Sequence, residues 1–308
     1  MDELSKSIRE SNYWNDIFMN VTHNINQLIK NEYSDRFLKY PIEVVFELNQ
    51  DIKNDPNAYA KRIGHKKYEI VIGKKLLTSV YDYSKDIVYK NLVFANITKS
   101  NKLLSDKISL IIFYFWMDFI CLHEWAHIVR GHCEYVNKEK TYYEFNINSK
   151  EDSSTNNLYF EIDADKFSTR YFTGKFSLCI DQIKEIGILD DNIIMLEIMT
   201  SMLYLFDLFS QLHDGNKIGS HPLPINRIVV FVSAVIETVN LKKDLFKISL
   251  NELVDLQLKC INRFILRNNH SLVIDKNKIL FETMSLNKRY LSFIKEIEID
   301  KYKILKWD

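Results

Sequence analysis

Five consecutive residues, His123-Glu124-Trp125-Ala126-His127, hold the chemistry of this chain. Residues four apart on a helix share a face. Both imidazoles can therefore reach one metal ion, at Zn–N distances of about 2.0–2.1 Å. Glu124 lies next to His123 and points slightly aside, so it can hold a water and accept its proton without binding the metal. Two neutral ligands at i and i+4 with a base at i+1 are the parts of a metal-dependent hydrolase. With 8 histidines in 308 residues, chance alone would place such a pattern in roughly 1–2% of chains of this composition. Two imidazoles and a glutamate beside the run ISLIIFYFW also need a reason, because burying them without partners is costly.

A catalytic zinc keeps three protein ligands and leaves one position open. A third histidine ten residues after the first would be residue 133, with a turning glycine at 130. Cys133 and Arg130 stand there, so the pattern HExxHxxGxxH is absent. His132 is nine positions on, and if the helix continues to Gly131 it projects from a different face. The stronger candidates lie downstream in Glu161-Ile162-Asp163-Ala164-Asp165. Glu161 and Asp165 are again i and i+4 on one helix. Glu161 can supply the third ligand, and Asp165 can accept the other ring N–H of a ligating histidine. Asp163 is expected to face solvent, and the small Ala164 to allow close approach of two helices. His221 lies in His-Pro-Leu-Pro, a stiff turn before an apolar helix. Arg227 lies near the start of that helix, as a site residue or a surface cap.

Taken together, His123-Glu124-x-x-His127 and Glu161-x-x-Ala164-Asp165 resemble the gluzincin class of zinc metallopeptidases. Within it they are most similar to the M48 family, which includes heat-shock membrane proteases and CAAX-processing proteases. The segment Ser220-His221-Pro222-Leu223-Pro224-Ile225-Asn226-Arg227-Ile228 resembles that family's His-Pro segment followed by Arg-Ile. His132 fits a histidine that the family often carries five positions after its second ligand. The resemblance spans roughly residues 110–230. It implies a zincin-like fold, one zinc ion bound by His123, His127 and Glu161, and Glu124 as general base. It further implies that Asp165 orients His123, that His221 stabilises an oxyanion, and that Arg227 holds its segment or contacts substrate. The substrate would be a protein or peptide. A weaker resemblance is to the U49 peptidases, HExxH proteins of similar length that act in phage exclusion by cutting a host translation factor. The richness in lysine, asparagine and isoleucine resembles an AT-rich bacterial or phage genome. The competing function is a metal-binding regulatory or interaction protein on the same scaffold, without proteolysis. Its weakness is Glu124, since a purely structural metal site has no use for a base.

The elements around these residues read as α+β, mostly helical. An N-terminal mixed region is expected over 1–100, a catalytic core over 101–240 and a C-terminal helical region over 241–308. Residues 1 to about 35 read as an amphipathic helix, with Trp14, Ile17, Phe18, Val21, Ile25 and Leu28 at helical spacing. Ile42–Leu48, Tyr68–Ile72 and Ile87–Val93 have the β-branched and aromatic content of strands. Ser109–Cys133 reads as the helix carrying the pentapeptide. The polar stretch 134–157 reads as a loop or exposed hairpin. A glutamate helix follows over Leu158–Phe172, stopped at Gly174. Further helices are expected at Ile193–Leu212, Pro224–Val239, Leu250–Arg267 and Ser285–Ile297.

Lysine plus arginine and aspartate plus glutamate each number 41, so the net charge is zero. No long basic block stands alone, which disfavours nucleic acid as a partner. Four scattered cysteines without a CxxC pair fit a reducing compartment. The polar, acidic start lacks the pattern of a signal peptide. The longest apolar run, Ile108–Leu122, falls short of the ~20 residues a bilayer span needs. A soluble, cytoplasmic protein without stable membrane insertion is expected, and nothing in the composition favours a particular oligomeric state.

Overall fold

The computed structural model of the chain describes residues 3–32, 38–50, 56–99, 101–139, 152–187, 190–212, 224–241, 250–267, 285, 288–293, 295 and 298–306. The fold is α+β and mostly helical, in two compact units. The first comprises Met1–Tyr81, Met117–Tyr142 and Ile299–Asp308, and the second Asp82–Trp116 and Tyr143–Glu298.

In the first unit, helix α1 (Glu3–Glu32) buries Trp14, Ile17, Phe18, Val21 and Ile25 of the stripe expected from their spacing, while the Leu28 side chain lies outside the described residues. Strands β1 (Glu43–Asn49), β2 (Ala58–Gly64) and β3 (Lys67–Gly73) form a sheet of order β1-β3-β2. β3 runs parallel to β1 and antiparallel to β2. As the central strand it buries Tyr68, Ile70, Val71 and Ile72, whereas β1 and β2 carry charges on an exposed side. The pairs Glu43–Lys67 and Lys61–Glu69, each 2.7 Å, decorate that side. Such exposed pairs contribute little. Helix α5 (His132–Glu139) packs on β2. There the Tyr68 hydroxyl donates to the Glu134 carboxylate, with Arg62 Nε 3.4 Å from the same oxygen.

Helices α2 (Lys74–Tyr89), α3 (Ala95–Thr98) and α4 (Lys102–Val129) follow the sheet. The Asn101 side chain accepts the Leu104 N–H at 3.1 Å and caps α4. In the second unit, α6 (Asp152–Glu185) packs on α8 (Pro224–Leu241), and α7 (Asp191–Leu212) packs on α8 and α9 (Leu250–Arg267). Glu197, buried on α7, ties three elements together. One oxygen accepts the Phe94 N–H at 2.7 Å and the other pairs with Arg263 of α9. The bond satisfies the N–H of buried Phe94, which sits in the left-handed region, φ 53°, at the start of α3.

Four expectations are corrected. Ile87–Val93 is not a strand. Residues 74–89 are helix α2, and the buried set Leu76, Leu77, Val80, Ile87 and Val88 has helical spacing. A short apolar run read by itself cannot separate the two. The third strand is instead β2, disguised by Lys61, Arg62 and Gly64. The polar stretch 134–157 is helical at both ends, as α5 up to Glu139 and α6 from Asp152, while 140–151 lie outside the described residues. α6 also continues through Gly174 to Glu185. One helical glycine costs only about 1 kcal/mol, and Cys179, Ile180 and Ile183 beyond it are buried. Among the described residues one helix, α7, is long and apolar enough to cross a membrane. It is the core of its unit, with Ile194 through Phe206 almost continuously buried.

Replacing Glu197 by Ala strands the Phe94 N–H and the Arg263 guanidinium. The expected loss is about 2–3 kcal/mol of stability, read as a lowered urea midpoint.

Candidate metal centre

α4 is apolar along most of its length, and its last turns place the polar group. Phe119, Leu122, Ala126, Ile128 and Val129 are buried there. His123 and Glu124 are buried among them, and His127 is half-buried. The i,i+4 spacing brings His127 Nε2 to 3.2 Å from His123 Nε2. Two nitrogens bound tetrahedrally to one zinc at 2.0–2.1 Å would be about 3.3–3.4 Å apart. The ring pair therefore has the separation that a shared ion requires. His123, His127 and Glu161 each offer one ligand atom, and the three atoms lie within 4.8 Å of one another. The donor set of two imidazoles and a carboxylate suits a zinc-type ion.

α4 stops at Val129, four residues before the expected end. Gly131 then turns the chain with φ 84°, and His132 opens α5. The turn returns His132 Nδ1 to 3.0 Å from His127 Nδ1. A single continuous helix would not allow this, because positions 127 and 132 would lie on different faces. Cys133 is directed elsewhere, with its thiol donating to the Ala60 carbonyl at 3.7 Å. Burial, together with the Glu124 and Glu134 carboxylates, pushes that thiol up from its ordinary range and keeps it protonated.

In the second unit, Glu161, Asp163 and Asp165 are all buried on α6. The expectation that Asp163 faces solvent is corrected: it accepts a hydrogen bond from the buried Tyr290 hydroxyl. Asp165, fully buried, is gripped by Arg227 of α8. Arg227 Nε donates to Oδ2 at 2.8 Å and Nη2 to Oδ1 at 2.6 Å. The guanidinium also lies 5.2 Å from the Phe206 ring centre and 5.1 Å from that of Phe209. No spacing rule in the sequence pairs positions 165 and 227. The only hint was a charged residue in the otherwise apolar start of α8. His221 lies outside the described residues.

No curated protein and no solved structure matches the chain. Comparison with known families matches residues 73–246 to Peptidase U49. That stretch is 174 of the 308 residues and runs from the end of β3 past α8. It contains the pentapeptide, Glu161, Asp165 and Arg227, and it selects the second of the two resemblances drawn from the sequence. With a His/His/Glu cluster able to hold a metal ion inside the matched region, the chain belongs to the Peptidase U49 family.

Proposed function

We propose that this protein is a zinc-dependent endopeptidase of gluzincin type. The observation that carries the reading is the convergence of His123, His127 and Glu161, with Glu124 between the two histidines. His123 and His127 would bind through Nε2 and Glu161 through a carboxylate oxygen. Binding at Nε2 leaves the His127 proton on Nδ1, where it donates to His132 Nδ1 across 3.0 Å. That bond fixes the tautomer and the ring plane of the ligand. The zinc ion, when bound, supplies Lewis acidity that makes water a nucleophile near neutral pH and polarises a carbonyl.

Glu124 does the proton work. Its carboxylate takes a proton from the attacking water and passes it to the departing amine. Burial suits this role, since few bulk waters compete for the carboxylate. His221 is assigned to the oxyanion on the strength of the His-Pro segment. Asp165 is assigned to orienting a ligand histidine, with a carboxylate that has acceptor capacity beyond the two bonds from Arg227. Arg227 is then a positioning residue, whose donors go to Asp165. Protein or peptide is the substrate class that the reaction and the family name support.

Glu124→Gln should retain the metal and the fold but lose roughly 10²–10⁴-fold in peptide hydrolysis. Comparing cleaved protein termini in cells carrying each form would read this and reveal the substrate, and unchanged cleavage would sink the assignment. Glu161→Ala should lower zinc content in metal analysis of the purified protein. Stoichiometric tight zinc in that variant would move the third ligand elsewhere. Arg227→Ala leaves a buried carboxylate without its cation and should cost about 3–5 kcal/mol. Thermal unfolding would report this, with Arg227→Lys recovering part of the loss.

A further inference from the structure

The last carbonyls of a helix have no partner inside it. At the end of α4, Ala126 O accepts Arg130 N–H at 2.9 Å and Ile128 O accepts Gly131 N–H at 3.1 Å. The Val129 carbonyl instead accepts amides from far along the chain, Ile304 N–H at 3.0 Å and Leu305 N–H at 3.4 Å. Gly131 beside it is enclosed by the same segment. A Cβ there would run into the Tyr302 carbonyl and stand 2.7 Å from Lys303 N. Glycine is thus required twice, for its φ of 84° and for the closeness of the second backbone.

Residues 299–305 are themselves held down. Ile299, Ile304 and Leu305 are buried. Lys39 N–H donates to the Ile304 carbonyl at 2.7 Å, and Lys39 Nζ donates to the Asp300 carbonyl at 3.1 Å. Lys303 pairs with the Asp300 carboxylate at 2.6 Å, and the Tyr302 ring meets Tyr135 of α5 edge-on at 5.4 Å. The segment therefore grips both sides of the turn that joins α4 to α5. It lies outside residues 73–246, the stretch that matches the family.

We propose that Ile299–Leu305 is a positioning strap for the metal centre: by capping Val129 and closing over Gly131, it fixes the turn that sets His132 against His127. The strap touches the helix end four residues or fewer from His127 and need not meet substrate or metal. The proposal rests on the metal-centre reading above.

Zinc affinity tests it, by competition with a chromophoric chelator. Three proteins are compared: the full chain, a chain ending at Glu298, and full-length Gly131→Ala. Both variants should bind zinc about 10–100-fold more weakly, the range for lost support behind a ligand. A peptide of residues 299–308 should restore the shortened chain but not Gly131→Ala. Affinity within twofold of the full chain, in a shortened chain of unchanged helicity, would falsify the strap. So would a peptide that restores nothing. If the full chain binds no zinc, the metal-centre reading fails first and the strap falls with it. If the shortened chain does not fold, Gly131→Ala decides by amide hydrogen exchange. It should lose protection at Ile304 and Leu305 together with zinc affinity, and affinity retained without that protection overturns the proposal.

Discussion

The site depends on where α4 stops. Two imidazoles at i and i+4 meet at 3.2 Å only if the turn between them stays regular. A helix end is the place where regularity is least assured, because its carbonyls lack internal partners. Here the last turn is closed by Arg130 and Gly131 from within and by Ile304 and Leu305 from outside. Had α4 run on to Cys133, His132 would have pointed away from His127. Ending it at Val129 turns a nearby histidine into a partner of His127.

A second constraint operates on α6. Burying a carboxylate is expensive, and Asp165 is fully buried. The bidentate guanidinium of Arg227 compensates for it, with Phe206 and Phe209 near the cation. Such a pair is weak as a source of net stability but exacting in geometry. It therefore fixes the facing of α6 and α8 more than it strengthens their contact. Asp163 with Tyr290, and Glu197 with Phe94 and Arg263, repeat the pattern elsewhere in the same unit. Each of these three buried acids is answered by a donor from a distant stretch of chain.

The residues with chemistry were legible because local spacing dictates them. His123, Glu124 and His127 are related by one helical turn, and α1 declared itself by the period of Trp14, Ile17, Phe18, Val21 and Ile25. What stayed hidden has physical causes. The run at 87–93 read as a strand because, taken without Leu76, Leu77 and Val80 of the same helical stripe, a short apolar run carries no helical period. β2 was missed because an edge strand tolerates Lys61 and Arg62 on its exposed face. The partnership of Asp165 with Arg227, 62 residues apart, follows from packing and not from any pattern along the chain. Asp163 was misplaced for the same reason, since its donor Tyr290 is 127 residues away. The stop of α4 was signalled only by Gly131, whose necessity shows once the backbone of Tyr302 is beside it.

The cap on Val129 has a consequence for synthesis. Ile304 lies 175 residues after Val129 along the chain. At about 5–20 residues per second, translation of that interval takes roughly 9–35 s. During this time the histidine helix has been synthesised but its outer cap has not. Until then the Val129 carbonyl at the end of α4 lacks the two amides that cap it in the folded chain.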